Sequence, residues 1–285
     1  MNIVIDKEIT LHLKYGGQGA PLLLLHGYPQ THIMWHKIAP LLVQDFTVIM
    51  PDLRGYGDSS KPSSDPEHLA YSKRAMAGDQ VKLMAKLGHE RFIVIAHDRG
   101  ARVAHRLARD FPDKVKKLIL FDMLPTLHIF ENIDKEVARA YYHWFFLAQP
   151  DNLPETLIKS NAHYYIQEKL KRWSKNGLSV FPTEIFNEYI RCSTTSEAIH
   201  AACEDYRAAA SIDLIHDEED KGNKIKCPIF LIWAKNGFIG KHYDVLKVWR
   251  EWANSVEGKS IDCGHFIPEE APEDTYQIIY EWLMR

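Results

Sequence analysis

Phe92-Ile93-Val94-Ile95-Ala96-His97-Asp98-Arg99-Gly100-Ala101 is the stretch that decides the fold. Phe92–Ala96 is a continuous apolar run rather than an alternating one, the pattern of a strand buried on both faces. It runs into small-x-Asp-x-Gly and then a helical pattern, Val103–Phe111. A sharp strand–turn–helix of this kind, a nucleophile elbow, lifts one side chain clear of the backbone, and small neighbours remove the clashes. The lifted residue here is Asp98, where Ser or Cys is more familiar. The plainer reading is an Asp that caps the helix after it, a common use of Asp at such turns. The rest of the chain separates the two readings.

Short apolar runs bounded by turn chemistry lie on both sides of the elbow. Ile9–Tyr15 alternates before Gly16-Gly17 and, with Ile3–Ile5, predicts an opening hairpin. Leu22–Leu25, Phe46–Met50, Leu118–Phe121, Ile229–Trp233 and Lys259–Ile261 predict further strands, with helical patterns at Ser72–Leu87 and Pro272–Leu283. Strand–helix alternation argues for an α/β fold with a mostly parallel central sheet flanked by helices. From about Leu127 to His216 no strand run occurs and aromatics cluster, as in Tyr141-Tyr142-His143-Trp144-Phe145-Phe146. Ile133–Leu147 and Tyr164–Trp173 read there as helices. The chain therefore divides into an α/β core, 1–126 and 217–285, and an inserted helical cap, 127–216. Placed after Phe121, the cap would cover the carboxyl ends of the strands, where open sheets bind ligands.

Composition sets outer limits. The 285 residues carry 35 Lys+Arg against 38 Asp+Glu, a net charge of −3, and are 46% hydrophobic, proportions of a soluble globular chain. Nothing basic suggests a nucleic-acid partner, and no apolar run approaches the ~20 residues of a membrane span. The opening Met-Asn-Ile-Val-Ile-Asp-Lys lacks the layout of a secretory signal, so a cytoplasmic location is expected. Cys192, Cys203, Cys227 and Cys263 form no CxxC pair, and the histidines form no HExxH. No metal is expected.

Three further segments bear on the elbow. His26-Gly27-Tyr28-Pro29-Gln30 follows the strand Leu22–Leu25, where a backbone amide can serve an oxyanion. Asp122 ends the strand Leu118–Phe121. Asp262-Cys263-Gly264-His265-Phe266 puts a histidine just past the last strand. Asp98, Asp122 and His265 thus run in the chain order nucleophile, acid, base.

On these residues the sequence resembles the α/β-hydrolase superfamily over nearly its whole length and, within it, the fluoroacetate (haloacetate) dehalogenases. The marks are His-Asp-Arg-Gly-x-Arg at His97–Arg102, Tyr-x-His-Trp at Tyr141–Trp144 and Asp-Tyr-Arg-Ala at Asp205–Ala208. The His-Gly-aromatic-Pro and Gly-His segments are shared across the superfamily and discriminate little. The Asp-Arg elbow together with His143-Trp144 and Tyr206 is far more selective.

The resemblance implies a hydrolytic dehalogenase of small 2-haloacids, turning haloacetate and water into glycolate and halide. A carboxylate, unlike a serine, can displace a leaving group from saturated carbon, and water then cleaves the resulting ester at the Asp98 carbonyl. His265 would activate that water, Asp122 would fix its tautomer, and the backbone amides of Tyr28 and Arg99 would form the oxyanion hole. The stretch Trp233-Ala-Lys-Asn236-Gly237 lacks the carboxylate that many relatives keep there. This favours Asp122 as the acid, with Asp244 as the fallback.

A haloacetate and ionised Asp98 repel by about 4 kcal/mol at ~4 Å with an effective dielectric near 20. Arg99 and Arg102 would offset this by gripping the substrate carboxylate. Arg106 and Arg109 continue the same stripe and read as a solvated face. His143, the Trp144 indole and the Tyr206 hydroxyl would hold the halide, with Trp173 lining the pocket and Tyr141, Phe145 and Phe146 packing the cap. No cofactor is implied, the partner is the small haloacid itself, and a homodimer is expected.

One rival is an epoxide hydrolase using the same Asp98 ester, with Tyr206 protonating the epoxide oxygen. Arg rather than Trp after Asp98 counts against it. The other is a non-catalytic small-ligand-binding protein of this fold, against which the intact Asp98, Asp122 and His265 set counts.

Overall fold

A computed structural model describes residues 1–285. Eight strands form one sheet: β1 (Asn2–Val4), β2 (Thr10–Gly16), β3 (Ala20–Leu25), β4 (Phe46–Pro51), β5 (Phe92–His97), β6 (Val115–Phe121), β7 (Ile229–Ala234) and β8 (Val256–Ile261). Their order is β1-β2-β4-β3-β5-β6-β7-β8. The β1–β2 and β2–β4 pairs are antiparallel, and every other pair is parallel. All six residues of β5 are buried, as expected of a parallel strand covered on both faces.

The strand order reverses direction between β3 and β5, so the loops that follow these two adjacent strands part to opposite sides and leave a crevice. Register fixes what meets there. Leu25 of β3 lies opposite Ala96 of β5, His97 opposite Phe121 of β6, and Ala234 of β7 opposite Ile261 of β8. Residues just past these strands, Tyr28, Asp98, Asp122 and His265, therefore emerge at one end of the sheet.

No strand interrupts the chain between Phe121 and Ile229, which holds eight α-helices from Thr126 to Glu219. One apolar cluster runs through sheet and insertion alike, joining Leu25 and Phe121 to Trp144, Leu170 and Tyr189. No helix is long and apolar enough to cross a membrane. The four cysteines are free and buried.

The structure departs from the sequence reading in three places. The helix expected over Ile133–Leu147 is two, Lys135–Ala140 and Tyr142–Leu147, broken at Tyr141. The break lets the Tyr141 ring pack 4.9 Å from Trp144 and 5.2 Å from Phe238. Strand β8 begins at Val256, earlier than the apolar run, because this edge strand is only partly covered. Arg106 and Arg109 do not form a solvated face. Their side chains are 2% and 3% exposed, under the acidic end of the helix Ile212–Glu219 and the following Asp220. Arg106 pairs with Asp220 and, at 3.2 Å, Asp110, and Arg109 donates to the Asp220 carbonyl. The stripe of arginines looked solvated because, Asp110 apart, the acids that cover it, Asp217 and Asp220, lie more than a hundred residues away.

Candidate active site

The elbow is built as its spacing requires. Asp98 has φ +48°, in the left-handed region, which costs an ordinary residue about 1–2 kcal/mol. A Cβ on Gly27 would lie 2.4 Å from the Asp98 Cβ, and one on Gly100 would lie 2.2 Å from the His26 carbonyl oxygen. Glycine at these two positions lets the turn close against β3.

The two carboxylate oxygens of Asp98 have different surroundings. Oδ1 accepts the Tyr28 backbone N–H at 2.9 Å. Oδ2 faces Nε2 of His265 at 3.8 Å and accepts no hydrogen bond. The Arg99 amide makes no hydrogen bond to Asp98, although its place in the first helical turn leaves that N–H without an intrahelical partner. On the far side of the imidazole, Nδ1 of His265 lies 2.7 Å from Oδ2 of Asp122, whose Oδ1 accepts the Ala234 N–H at 3.1 Å. An ionised carboxylate only accepts, so Nδ1 carries the proton and the Nε2 lone pair is turned toward Asp98.

Backbone contacts hold this histidine as well. The His265 N–H donates to the Trp173 carbonyl at 2.8 Å, and Nε2 of His97 donates to the His265 carbonyl at 2.8 Å. Burial, and then His265, push His97 down to about 3, so it stays neutral. Asp244 is placed elsewhere: it caps the helix Val245–Trp252, accepting the Lys247 N–H at 3.0 Å.

Charge is distributed unevenly. Burial pushes the Asp98 carboxyl up, but His265, His97, Arg99 and Arg102 more than offset this and hold it below the ordinary value. Arg99 spends most of its donors on Asp205: Nε and Nη2 reach the two carboxylate oxygens at 2.9 and 2.7 Å. Its Nη1 is buried without a partner, and its Cζ stacks 4.3 Å above the Tyr206 ring. Asp205 also accepts Lys73 and the Tyr56 hydroxyl, so it is fully committed. Arg102 has no acidic partner. Its Nη1 donates to the Leu124 carbonyl and the Thr126 hydroxyl, its Nε is unpaired, and its Cζ lies 4.4 Å over Trp144. Burial, and then Arg99, lower it to about 10, which leaves it charged at neutral pH.

A cavity of about 400 Å³ opens beside Asp98. Asp98, Asp122, His265, Arg102, His143, Trp144 and Trp173 line it, and Tyr141 and Phe238 supply an apolar wall. Arg99, Tyr28 and Tyr206 are not among the cavity's lining residues; the Tyr206 ring is 5.7 Å from His143, which is, and 5.6 Å from Tyr28. Tyr141 thus lines the cavity as well as packing the insertion. Burial and then Lys169 push His143 well below its ordinary value, so its imidazole is neutral, and its Nδ1 has no partner.

Sequence reasoning gave no role to Asp205, although it stands in the quoted Asp-Tyr-Arg-Ala segment, nor to Lys73, Thr126 and His97. His12, His32 and Asp52 alone group as metal-type ligands, but Asp52 is occupied by the ring and backbone N–H of His32 and by the Asp58 N–H. It reads as a loop tie.

Known proteins share this arrangement of chain. A family profile described as alpha/beta hydrolase fold matches residues 20–272. The fluoroacetate dehalogenase of a Burkholderia sp is 42% identical over 97% of this chain and 91% of its own length. The soluble epoxide hydrolase of Corynebacterium sp. (strain C12) is 35% identical over 92% and 90%. A crystal structure described as an alpha/beta hydrolase from Nostoc sp PCC 7120 superposes with a TM-score of 0.97 at 59% identity, covering 99% of this chain and 97% of that one. The profile spans most of the chain and the relatives nearly all of it, and so the chain belongs to the α/β-hydrolase fold family.

Proposed function

We propose that this protein hydrolyses small 2-haloacids of the haloacetate type through an ester on Asp98. The observation that carries the reading is Arg102, a buried guanidinium with no acidic partner in the wall of the cavity that holds the Asp98 carboxylate. A neutral substrate has no use for such a cation, whereas an anionic one needs it. The similarity to the Burkholderia fluoroacetate dehalogenase supports the same substrate class. Arg99, already bound to Asp205 and outside the cavity lining, keeps Nη1 unpaired, so it holds the substrate carboxylate only if that N–H turns toward the cavity.

In the first step Oδ2 of Asp98 attacks C2 of the haloacid. A C–O bond forms, the C–halogen bond breaks, and its electron pair departs with the halide toward His143, Trp144 and Tyr206. In the second, Nε2 of His265 takes a proton from water, whose oxygen attacks Cγ of Asp98. Negative charge then develops on Oδ1, beside the amides of Tyr28 and Arg99. Collapse breaks the Cγ–Oδ2 bond, His265 returns its proton to the departing alkoxide to give glycolate, and the Asp98 carboxyl, now holding the water oxygen, ionises to the carboxylate. Residues 127–216 act as a cap over a core of 1–126 and 217–285, Trp173 closes the pocket, and the active form is a cytoplasmic homodimer.

Halide release from fluoroacetate and chloroacetate tests the substrate class, with diol formation from a neutral epoxide as the competing outcome. Arg102→Ala is expected to raise KM for the haloacid about 10- to 100-fold, the loss of one charge-assisted contact. An unchanged KM would contradict the clamp. The epoxide reading stays in play because the Corynebacterium relative is a soluble epoxide hydrolase and Tyr206 stands beside His143.

The pH dependence has a defined sign. Burial pushes His265 down, but the Asp122 hydrogen bond and charge, together with Asp98, hold it above its ordinary 6.5. In the ester Asp98 carries no charge, which leaves Asp122 as the main group opposing burial; a base must be unprotonated, so ester hydrolysis is expected to fall as pH drops and His265 takes up a proton. Single-turnover glycolate release measured from about pH 5 to about pH 9 checks this, and a flat profile would contradict it.

A further inference from the structure

The helix Ala162–Trp173 contains a buried lysine that no carboxylate neutralises. Lys169 is 3% exposed. Its Nζ lies 4.0, 5.0 and 5.4 Å from the ring centroids of Tyr142, Tyr165 and Trp173, and donates to the Tyr142 hydroxyl at 2.7 Å. Buried lysines are ordinarily paired, because an unpaired ammonium loses hydration without gaining an anion. The ionisable groups facing it are Tyr142 and His143 on the helix Tyr142–Leu147 and Tyr165 and Arg172 on its own helix. The helix Leu153–Lys159 turns its buried carboxylate, Glu155, to Arg207 instead, at 2.7 Å. The helix Thr183–Ser193 and the turn Gly177–Val180 bring it no charge.

What stands between this cation and the cavity is the Trp173 indole. That ring is 4.8 Å from His143 and 5.6 Å from His265, both in the cavity wall. We infer that Lys169 is a positioning residue of the leaving-group pocket. It supplies unpaired positive charge behind Trp173, where the halide departs. The inference rests on the haloacid reading of the site.

The absence of a carboxylate matters physically. A paired lysine is a dipole whose field dies away quickly, whereas a lone ammonium in a low-dielectric setting acts across several ångströms. Charge develops only as the C–halogen bond breaks, so the field favours the transition state over the bound substrate. Burial, and then Arg172, bring Lys169 down to about 7. Its charge is therefore present below that value and lost above it. Ester formation should slow with rising pH, opposite in sign to ester hydrolysis.

The test uses the His265→Ala protein, in which ester formation is read alone as a burst of halide from chloroacetate. With Lys169 present, the burst rate is expected to fall as pH rises through about 7. Lys169→Met should be about tenfold slower and indifferent to pH, since the charge is gone while the apolar stem is kept. Lys169→Arg should stay fast throughout, because arginine does not titrate there. A Met burst as fast as the parent's, or one keeping the parent's pH dependence, would overturn the inference. So would an Arg protein that still slows with pH, an arm that stands even where the Met chain fails to fold. No burst from the parent at any pH would instead overturn the haloacid reading itself, and the inference with it.

Discussion

Asp122→Asn is expected to lower turnover about 10⁴-fold, while leaving the first step, ester formation on Asp98, largely intact. The reason lies in the two partners of that side chain. The Ala234 N–H donates to one oxygen and Nδ1 of His265 to the other. An asparagine would keep its carbonyl oxygen on the Ala234 N–H and turn its NH₂ toward Nδ1. Two donors would then face each other, which forces the imidazole proton onto Nε2, the atom that must accept a proton from water. Ester would accumulate, and halide would be released once per active site. Asp244→Asn is the control: asparagine caps a helix as well as aspartate, so both stability and turnover should stay within about twofold. A stall in the Asp244 variant alone would contradict Asp122 as the orienting acid.

His265→Ala is expected to show an equal or larger loss of steady turnover, again with ester formation preserved. Displacement at C2 asks nothing of the imidazole. Oδ2 of Asp98 is free of hydrogen bonds, Oδ1 is held by the Tyr28 amide, and Arg99 and Arg102 still oppose the effect of burial on the carboxyl after His265 is removed. Hydrolysis, by contrast, loses its only base near Cγ. His97 cannot substitute, because it is buried, neutral, and committed through Nε2 to the carbonyl of residue 265. The reaction should therefore stop after one halide per active site.

The parts legible in the sequence were those written in consecutive residues. The β5 run read as a strand because all six of its residues are buried, and the glycine after Asp98 announced the turn. Asp122 and His265 were legible as residues just past strands, and parallel register brings such ends together whatever the length of chain between them. Pairings across the insertion were hidden. Arg99 looked like half of a substrate clamp, but Asp205, 106 residues away, holds it by two oxygens and leaves it a single free nitrogen. Arg106 and Arg109 looked solvated for the same reason. Lys169 gave no signal at all, since a lysine on a helix reads as a surface residue until the rings around it are seen. Local pattern reports backbone conformation and burial. It does not report which side chain from a distant helix supplies the opposite charge.

Covalent capture tests the chemistry most directly. His265→Ala protein is incubated with chloroacetate, digested, and the peptide containing Asp98 weighed and fragmented. One carboxymethyl group on Asp98, with one halide released per active site, is the expected result. An unmodified Asp98 peptide, or the same group on any other residue, would contradict a nucleophilic Asp98 and with it the haloacid mechanism.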